Sequence, residues 1–137
     1  MTDLEKARER LATGGFTCVL IRGEVCLESR ERGVKPLLGF LESGSVPRGC
    51  FAADRVVGRA AAFLYVLLGV KALHAGVISR PAIEVLEQYG VALTFDQAVD
   101  AIRNRAGTGY CPMEQAVLHV SDPDSVPSIL RETLKNL

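Results

Sequence analysis

The sequence has no net charge and few aromatic residues. Sixteen lysines and arginines balance sixteen aspartates and glutamates, and 6% of the residues are aromatic, with no tryptophan among them. Balanced charge produces no overall field that attracts nucleic acid. No basic run is interleaved with aromatic residues on which bases could stack. We therefore expect no nucleic-acid partner.

The sequence also has no long hydrophobic run. The longest one, at residues 60–70, is too short to span a bilayer. Residues 1–6 are charged and carry no hydrophobic region of the kind that signal peptides have. We therefore expect no membrane partner and a cytoplasmic location.

Closely spaced cysteine pairs are absent as well. The four cysteines, Cys18, Cys26, Cys50 and Cys111, include no Cys-x-x-Cys pair of the kind that a zinc ribbon or a redox motif needs. The first three fall on predicted strands, where free thiols behave as small hydrophobic side chains. The sequence therefore predicts no metal site, no cofactor and no disulfide framework.

The sequence does contain enough hydrophobic residues to form a core. Of its 137 residues, 48% are hydrophobic, which predicts a single domain over residues 1–137. Apolar periodicity, and glycine and proline between the periodic segments, predict helices at 4–12, 36–41, 58–68, 81–89, 98–102, 113–117 and 126–137, and strands at 16–22, 25–28, 49–53, 71–78 and 91–95. This order predicts an α/β fold: a three-layer α/β/α sandwich with a mixed five-stranded sheet.

One segment points to a ligand site. The short apolar run 50–53 is followed by the polar stretch Asp54-Arg55 and by an alanine-rich helix from Gly58. A strand that ends in a loop before a helix start is where ligands bind in open α/β sheets. Gly58 lets a ligand approach the backbone, Arg55 and Arg59 are spaced to form a forked anion clamp, and Asp54 can accept from a ribose hydroxyl. The structural alternatives are a helix cap for Asp54, solvated arginines, and tight packing at Gly58.

A second segment, Cys111-Pro112-Met113-Glu114, has two interpretations. As structure, Cys111 caps a helix, and Glu114 reaches back to the N–H of the cap residue. As chemistry, a cysteine at a helix N-terminus has a lowered pKa and is a candidate nucleophile, with His74 or His119 as a candidate base.

Two further positions are candidate ligand contacts. Ser79 precedes Arg80-Pro81 and is either a helix N-cap or a ligand-binding residue. Asn104-Arg105 adjoins a glycine-rich loop and is either part of a lid over the site or a helix terminus.

Five segments together, at 33–38, 54–62, 77–79, 104–105 and 111–114, resemble a family of small uncharacterised prokaryotic proteins, a domain of unknown function. The resemblance implies a cytidine-deaminase-like fold and brings no known activity.

The segments that carry this resemblance lack the zinc motif of true deaminases. Zinc deaminases need a His or Cys with a Glu at one helix start and Pro-Cys-x-x-Cys at the next. This chain has Val57-Gly58-Arg59-Ala60 at the first start, and at the second it has Pro81 without the cysteines. His74-Ala75-Gly76 lacks the glutamate and falls on a predicted strand.

We therefore expect a divergent deaminase-fold protein without zinc chemistry that binds a small nucleoside-like, nucleotide-like or other anionic ligand. One alternative is a metal-free enzyme in which Cys111 is the nucleophile and Glu114 or a histidine assists. The other is a non-catalytic module that forms a homo-oligomer through the helix at 126–137, whose apolar residues otherwise pack on the chain's own core.

Overall fold

The computed structural model describes residues 1–104, 107 and 109–137. The described helices and strands, in chain order, are α1 (Asp3–Gly14), β1 (Cys18–Arg22), β2 (Val25–Ser29), α2 (Lys35–Ser43), β3 (Phe51–Val57), α3 (Arg59–Leu68), β4 (Ala72–Ser79), α4 (Arg80–Gln88), β5 (Ala92–Val99), α5 (Pro112–Ala116) and α6 (Val126–Lys135). A 3-10 turn at Pro123–Ser125 leads into α6. In this described part, no helix is long and apolar enough to cross a membrane.

The five strands form one mixed sheet in the order β2-β1-β3-β4-β5. β1 pairs antiparallel with both β2 and β3, whereas β3, β4 and β5 run parallel. The predicted α/β class and the mixed five-stranded sheet are therefore confirmed. Because the last three strands are parallel, their carboxyl ends lie at one edge of the sheet, where α3 and α4 begin.

Helices pack on both faces of the sheet, but unequally. On one face, Ala7 and Leu11 of α1 contact Val19, Ile21 and Ala53 of β1 and β3. On the other face, α2 to α6 enclose the larger core, with α3 at its centre. Seven of the ten α3 residues are buried, so the central buried helix predicted at 58–68 is confirmed.

The N-terminal and C-terminal helices also agree with the sequence pattern. The Thr2 hydroxyl accepts a hydrogen bond from the Glu5 N–H at 3.1 Å, and α1 ends at Gly15, whose φ of 71° favours glycine. At the other end of the chain, α6 buries Val126 and Leu130 in the larger core.

Two strands are longer than the sequence pattern predicted. β3 continues through Asp54 and Arg55 to Val57, so the predicted polar loop before α3 is wrong. The reason is that β3 lies between β1 and β4: β1 pairs with it as far as Asp54, and β4 pairs with it as far as Val57. β5 similarly continues to Val99 against β4, so the helix predicted at 98–102 is wrong.

Candidate functional site

The candidate site lies at the sheet edge where β3 and β4 end. Gly58 is the N-cap residue of α3, and Ser79 is the N-cap residue of α4. The buried Ser79 hydroxyl accepts a hydrogen bond from the Ala82 N–H at 3.2 Å, so its N-cap role is confirmed. Two helix N-termini, each with a partial positive charge, therefore start side by side at this edge.

The N-terminus of α3 is already occupied by a carboxylate from within the chain. Glu114 of α5 accepts hydrogen bonds from the Arg59 N–H at 2.6 Å and from the Ala60 N–H at 2.9 Å. A Cβ atom on Gly58 would lie 2.3 Å from Glu114 Oε1, so the glycine is what admits the carboxylate. Burial raises the pKa of Glu114, while the two N–H groups and the Arg59 charge oppose this shift.

This contact corrects the expected capping of α5. Glu114 does not reach back to Cys111, because its carboxylate is bonded to α3 instead. The Cys111 N–H donates to the Ile102 carbonyl at 3.1 Å, and the Cys111 side chain makes no capping hydrogen bond.

Arg59 anchors the segment that follows α5. Its guanidinium donates to the Val117 carbonyl at 3.1 Å and to the Val120 carbonyl at 2.5 Å. The same group lies 4.9 Å from the centroid of the Phe63 ring. Three contacts therefore fix this side chain.

Arg55 points to the opposite face of the sheet, so the predicted clamp with Arg59 does not form. Its guanidinium donates to the Phe16 carbonyl at 2.5 Å and to the Leu11 carbonyl of α1 at 3.2 Å. Arg55 belongs to a strand and Arg59 to a helix, so their spacing of four residues does not bring the two guanidinium groups together.

Asp54 lies in the core, beneath the site. It is 9% exposed, accepts from the Tyr65 hydroxyl at 2.6 Å, and also accepts from the Val56 N–H at 3.2 Å. Burial raises the pKa of Asp54 to about 7, although these hydrogen bonds oppose the shift. Since Asp54 is inside β3, the expected helix-cap role is wrong, and its carboxyl group contacts the protein's own tyrosine.

A cavity of about 510 Å³ opens beside α3 and Glu114, and we call it the β3-edge cavity. Its interior is mainly apolar, and its polar lining includes Arg32, Lys35, Arg103, Asn104, Cys111 and Glu114. A smaller hollow of about 180 Å³ lies between Arg59, Ser79 and the other side of Glu114. The structure therefore brings Gly58, Asn104, Cys111 and Glu114, which the sequence offered as candidates in three separate segments, into one cavity. Arg105 lies outside the described residues.

The basic residues of this cavity were not predicted from the sequence. Arg32 and Lys35 precede and begin α2, some seventy positions before Arg103, and long separations of this kind leave no periodic signal. The available signal was the charged stretch Arg30-Glu31-Arg32 before the helix predicted at 36–41.

Neither candidate base shares the β3-edge cavity with Cys111. His74 is buried on β4, where it bonds to residues of β5, and His119 is exposed beyond α5; neither lines the β3-edge cavity. The predicted Cys111–histidine pair is therefore not formed. Within residues 1–104, 107 and 109–137, no group of three or more His, Cys, Asp and Glu side chains is arranged to hold a metal ion.

Comparison with known proteins gives a family and a fold. The family model described as TM1506, domain of unknown function (DUF1893), matches residues 6–134. The crystal structure at 2.70 Å resolution of a DUF1893 family protein (TM1506) from Thermotoga maritima matches with a TM-score of 0.85 and 27% sequence identity. That match covers 98% of this chain and 90% of the Thermotoga chain. The comparison with curated proteins found no match.

Proposed function

This chain belongs to the DUF1893 family, a domain of unknown function, and from that premise we propose that it binds a small anionic, nucleotide-like ligand in the β3-edge cavity. In this proposal the protein is a divergent member of the cytidine-deaminase-like fold and works without zinc chemistry. The observation that carries the proposal is the combination of an apolar interior, a basic rim and a fixed carboxylate in one cavity.

The sheet and its helices support the fold part of the proposal. An antiparallel β1–β2 hairpin is followed by parallel β3, β4 and β5, and α3 and α4 begin directly after β3 and β4. The α3 start offers Val57, Gly58, Arg59 and Ala60, which are not zinc ligands. The α4 start offers Pro81 without a following cysteine motif. The residues at the two helix starts therefore do not fit the zinc site of a deaminase.

The size and charge of the cavity support the ligand part. A volume of about 510 Å³ lies within the range of small-molecule sites. Arg32 and Lys35 are exposed at its rim, and within the described residues neither forms an ion pair with a carboxylate. Unpaired cations above an apolar interior suit a ligand with a phosphate or carboxylate at one end and a flat, weakly polar group at the other.

Glu114 gives such a ligand an orientation. Each of its oxygens accepts one backbone N–H, and a carboxylate oxygen has a further lone pair to accept from a ligand amine or hydroxyl. A nucleotide has both features, because its base or ribose donates hydrogen bonds and its phosphate is anionic.

The proposal is tested by calorimetric titration with adenosine monophosphate, cytidine monophosphate and the matching nucleosides. We expect the Arg32→Ala and Lys35→Ala variants to bind the nucleotide about tenfold more weakly each, as for loss of one charge-assisted hydrogen bond. Lys71→Ala is the matched control, because Lys71 is exposed just before β4, at the opposite edge of the sheet. Unchanged affinity in both rim variants, or no heat from either nucleotide or either nucleoside, contradicts the proposal.

The metal-free enzyme alternative has one supporting observation, which is that Cys111 lines the same cavity. Iodoacetamide labelling followed by peptide mass spectrometry tests it, with the exposed Cys26 of β2 as the internal control. A nucleophilic Cys111 is expected to react faster than Cys26, and a bound nucleotide is expected to protect Cys111 alone. Equal labelling rates at the two thiols argue against the enzyme.

A further inference from the structure

The face of the sheet that carries α1 holds a second cleft. Because α1 packs mainly over β1 and β3, it leaves much of β5 exposed on this face. A cleft of about 500 Å³ remains there, lined by Arg8 and Glu9 of α1, Arg55 of β3, His74 and Gly76 of β4, and Asp96 of β5. This cleft lies across the sheet from the β3-edge cavity and does not take part in the function proposed above.

His74 and Asp96 line this cleft, and Thr94 of β5, which lies beside it, forms a connected row with them. His74 pairs in register with Thr94, and His74 Nδ1 lies 2.7 Å from Thr94 Oγ1. His74 Nε2 lies 3.5 Å from Asp96 Oδ1, two residues further along β5. The imidazole is buried, whereas Thr94 and Asp96 are exposed to solvent.

The partners of the imidazole favour one tautomer. His74 Nε2 faces the Asp96 carboxylate, an acceptor, and this favours the neutral ring that carries its proton on Nε2. In this tautomer Nδ1 has a free lone pair, to which the Thr94 hydroxyl can donate. This is the polarity in which a histidine withdraws a proton from a hydroxyl nucleophile while a carboxylate orients the ring.

We propose that Thr94, His74 and Asp96 form a hydrolytic site for small carboxylic esters, with Thr94 as nucleophile, His74 as general base and Asp96 as a positioning residue. Arg8 borders the same cleft and, within the described residues, forms no ion pair. Its guanidinium is the donor available for the negative charge that develops on the carbonyl oxygen.

The reaction is an acyl transfer in two halves. The Thr94 oxygen bonds to the ester carbonyl carbon as its proton passes to His74 Nδ1. The bond to the leaving alcohol then breaks, and the alcohol takes that proton from His74. Water attacks the acyl-threonine ester, giving its proton to His74, and the proton returns to the Thr94 oxygen as the carboxylic acid leaves. The net reaction is ester plus water to acid plus alcohol.

The charges around His74 give the site a pH dependence. The groups that face it are Arg8 and Glu9 from α1, Arg55 from β3 and Asp96 from β5. Burial and then Arg8 lower the pKa of His74, and Asp96 opposes them. His74 is therefore neutral near pH 7, and activity falls as the medium is acidified through this lowered pKa.

Hydrolysis of p-nitrophenyl acetate by the full chain tests the proposal. Thr94→Val keeps the shape of an exposed side chain and removes the hydroxyl, and we expect it and His74→Gln to lose the activity. Asp96→Asn is expected to lower kcat by about a hundredfold or more with little change in KM, and Asp96→Glu to restore part of it. Thr133→Val on α6 is the matched control, because it removes a threonine hydroxyl in a helix of the other face.

A fluorophosphonate probe followed by peptide mass spectrometry identifies the nucleophile directly. Modification of Thr94 that disappears in His74→Gln, with an unchanged melting temperature for Thr94→Val, supports the site. Turnover by the wild type no faster than by Thr94→Val overturns it and leaves a structural histidine–threonine pair. Modification of Cys111 in place of Thr94 also overturns it, because the esterase activity then belongs to the other cavity.

Discussion

At the scale of single residues, Asp54 carries a carboxyl group into the core, where Tyr65 donates to it. Burial raises its pKa from the ordinary value of 3.8 to about 7. At a pH between these two values, Asp54 therefore keeps its proton in the folded protein, whereas it has released it in the unfolded chain. It follows that the contribution of Asp54 to stability is fully present below pH 3.8 and is lost as the pH rises to about 7.

Asp54→Asn removes this titration and keeps the shape of the side chain. The variant and the wild type are expected to be of similar stability near pH 4. As the pH rises, the free energy of unfolding of the variant is expected to exceed that of the wild type, by up to roughly 4 kcal/mol at pH 8. This follows from 1.36 kcal/mol per unit of pKa shift. Urea unfolding of both proteins from pH 4 to 8 measures the difference. Parallel curves contradict the prediction.

Tyr65→Phe provides the control for the same carboxyl group. The Tyr65 hydroxyl donates to the ionised carboxylate, and its loss removes one of the hydrogen bonds that hold the Asp54 pKa down. In this variant the loss of stability with rising pH is expected to extend to higher pH than in the wild type. A stability profile that shifts to lower pH would show that the hydroxyl favours the protonated acid.

At the scale of elements, α3 depends on a residue from α5 for its first turn. α5 has five residues, which is too few for a stable isolated helix, so its position depends on contacts with the rest of the protein. Glu114 binds the first N–H groups of α3, and Arg59 at the start of α3 binds the carbonyls that follow α5. Each helix end therefore positions the other, and Gly58 is where they meet.

Gly58→Ala tests this mutual positioning. The backbone φ of −99° accepts alanine, so the cost comes from the methyl group meeting the Glu114 carboxylate. We expect a destabilisation of about 1–3 kcal/mol. In a Glu114→Ala background the same substitution is expected to cost at least about 0.5 kcal/mol less, since the clash is gone. Thermal or urea unfolding of the wild type, the two single variants and the double variant gives the coupling energy between the two positions.

Gly39→Ala is the matched control for this cycle. Gly39 lies in the exposed interior of α2, and a Cβ built there meets no atom of the described structure within 4 Å. It is expected to stabilise the protein by about 0.5–1 kcal/mol, as alanine does in a helix interior. Additive effects of Gly58→Ala and Glu114→Ala, with no coupling, would show that the two positions do not act on each other.

At the scale of the whole molecule, local patterns predicted the order of most elements but not where two strands end. Thr2 and Gly15 mark the ends of α1, because capping is a property of neighbouring residues. β3 was predicted to end at the polar pair Asp54-Arg55. Those side chains are tolerated inside the strand because Tyr65 and the end of α1 provide their partners, and both are distant in sequence.

In the candidate site, too, features set by neighbouring residues were predicted and contacts between distant residues were not. Gly58 and Ser79 were placed correctly at one edge, because short motifs put them at the starts of helices that follow parallel strands. Glu114 was predicted to cap its own helix, and its position at the start of α3 was not predicted. The contacts between these residues could not be predicted. Glu114 lies 55 positions from Arg59 and 54 positions from Ala60, and separations of this length leave no local signal. The basic rim from Arg32, Lys35 and Arg103 depends on the tertiary fold in the same way.

The sheet order predicts how protection from hydrogen exchange is distributed. β3 is the central strand, with a neighbour on each side and helices on both faces, and Ala52 and Ala53 are both 0% exposed. Their amides are expected to exchange through global unfolding. β5 is an edge strand with much of its length exposed, so its hydrogen-bonded amides are expected to exchange through local opening, at least about tenfold faster.

Hydrogen exchange followed by NMR at several low denaturant concentrations distinguishes global from local opening, because global opening depends steeply on denaturant and local opening does not.

The same experiment tests self-association. An edge strand offers unpaired backbone groups to another chain, and a second copy paired along β5 would protect it. If the β5 amides are as slow as those of β3 and speed up on dilution, the local-opening prediction is wrong and a homo-oligomer built on β5 explains the protection. If they are fast at every protein concentration, the β5 edge is open in solution, and self-association through this strand is excluded.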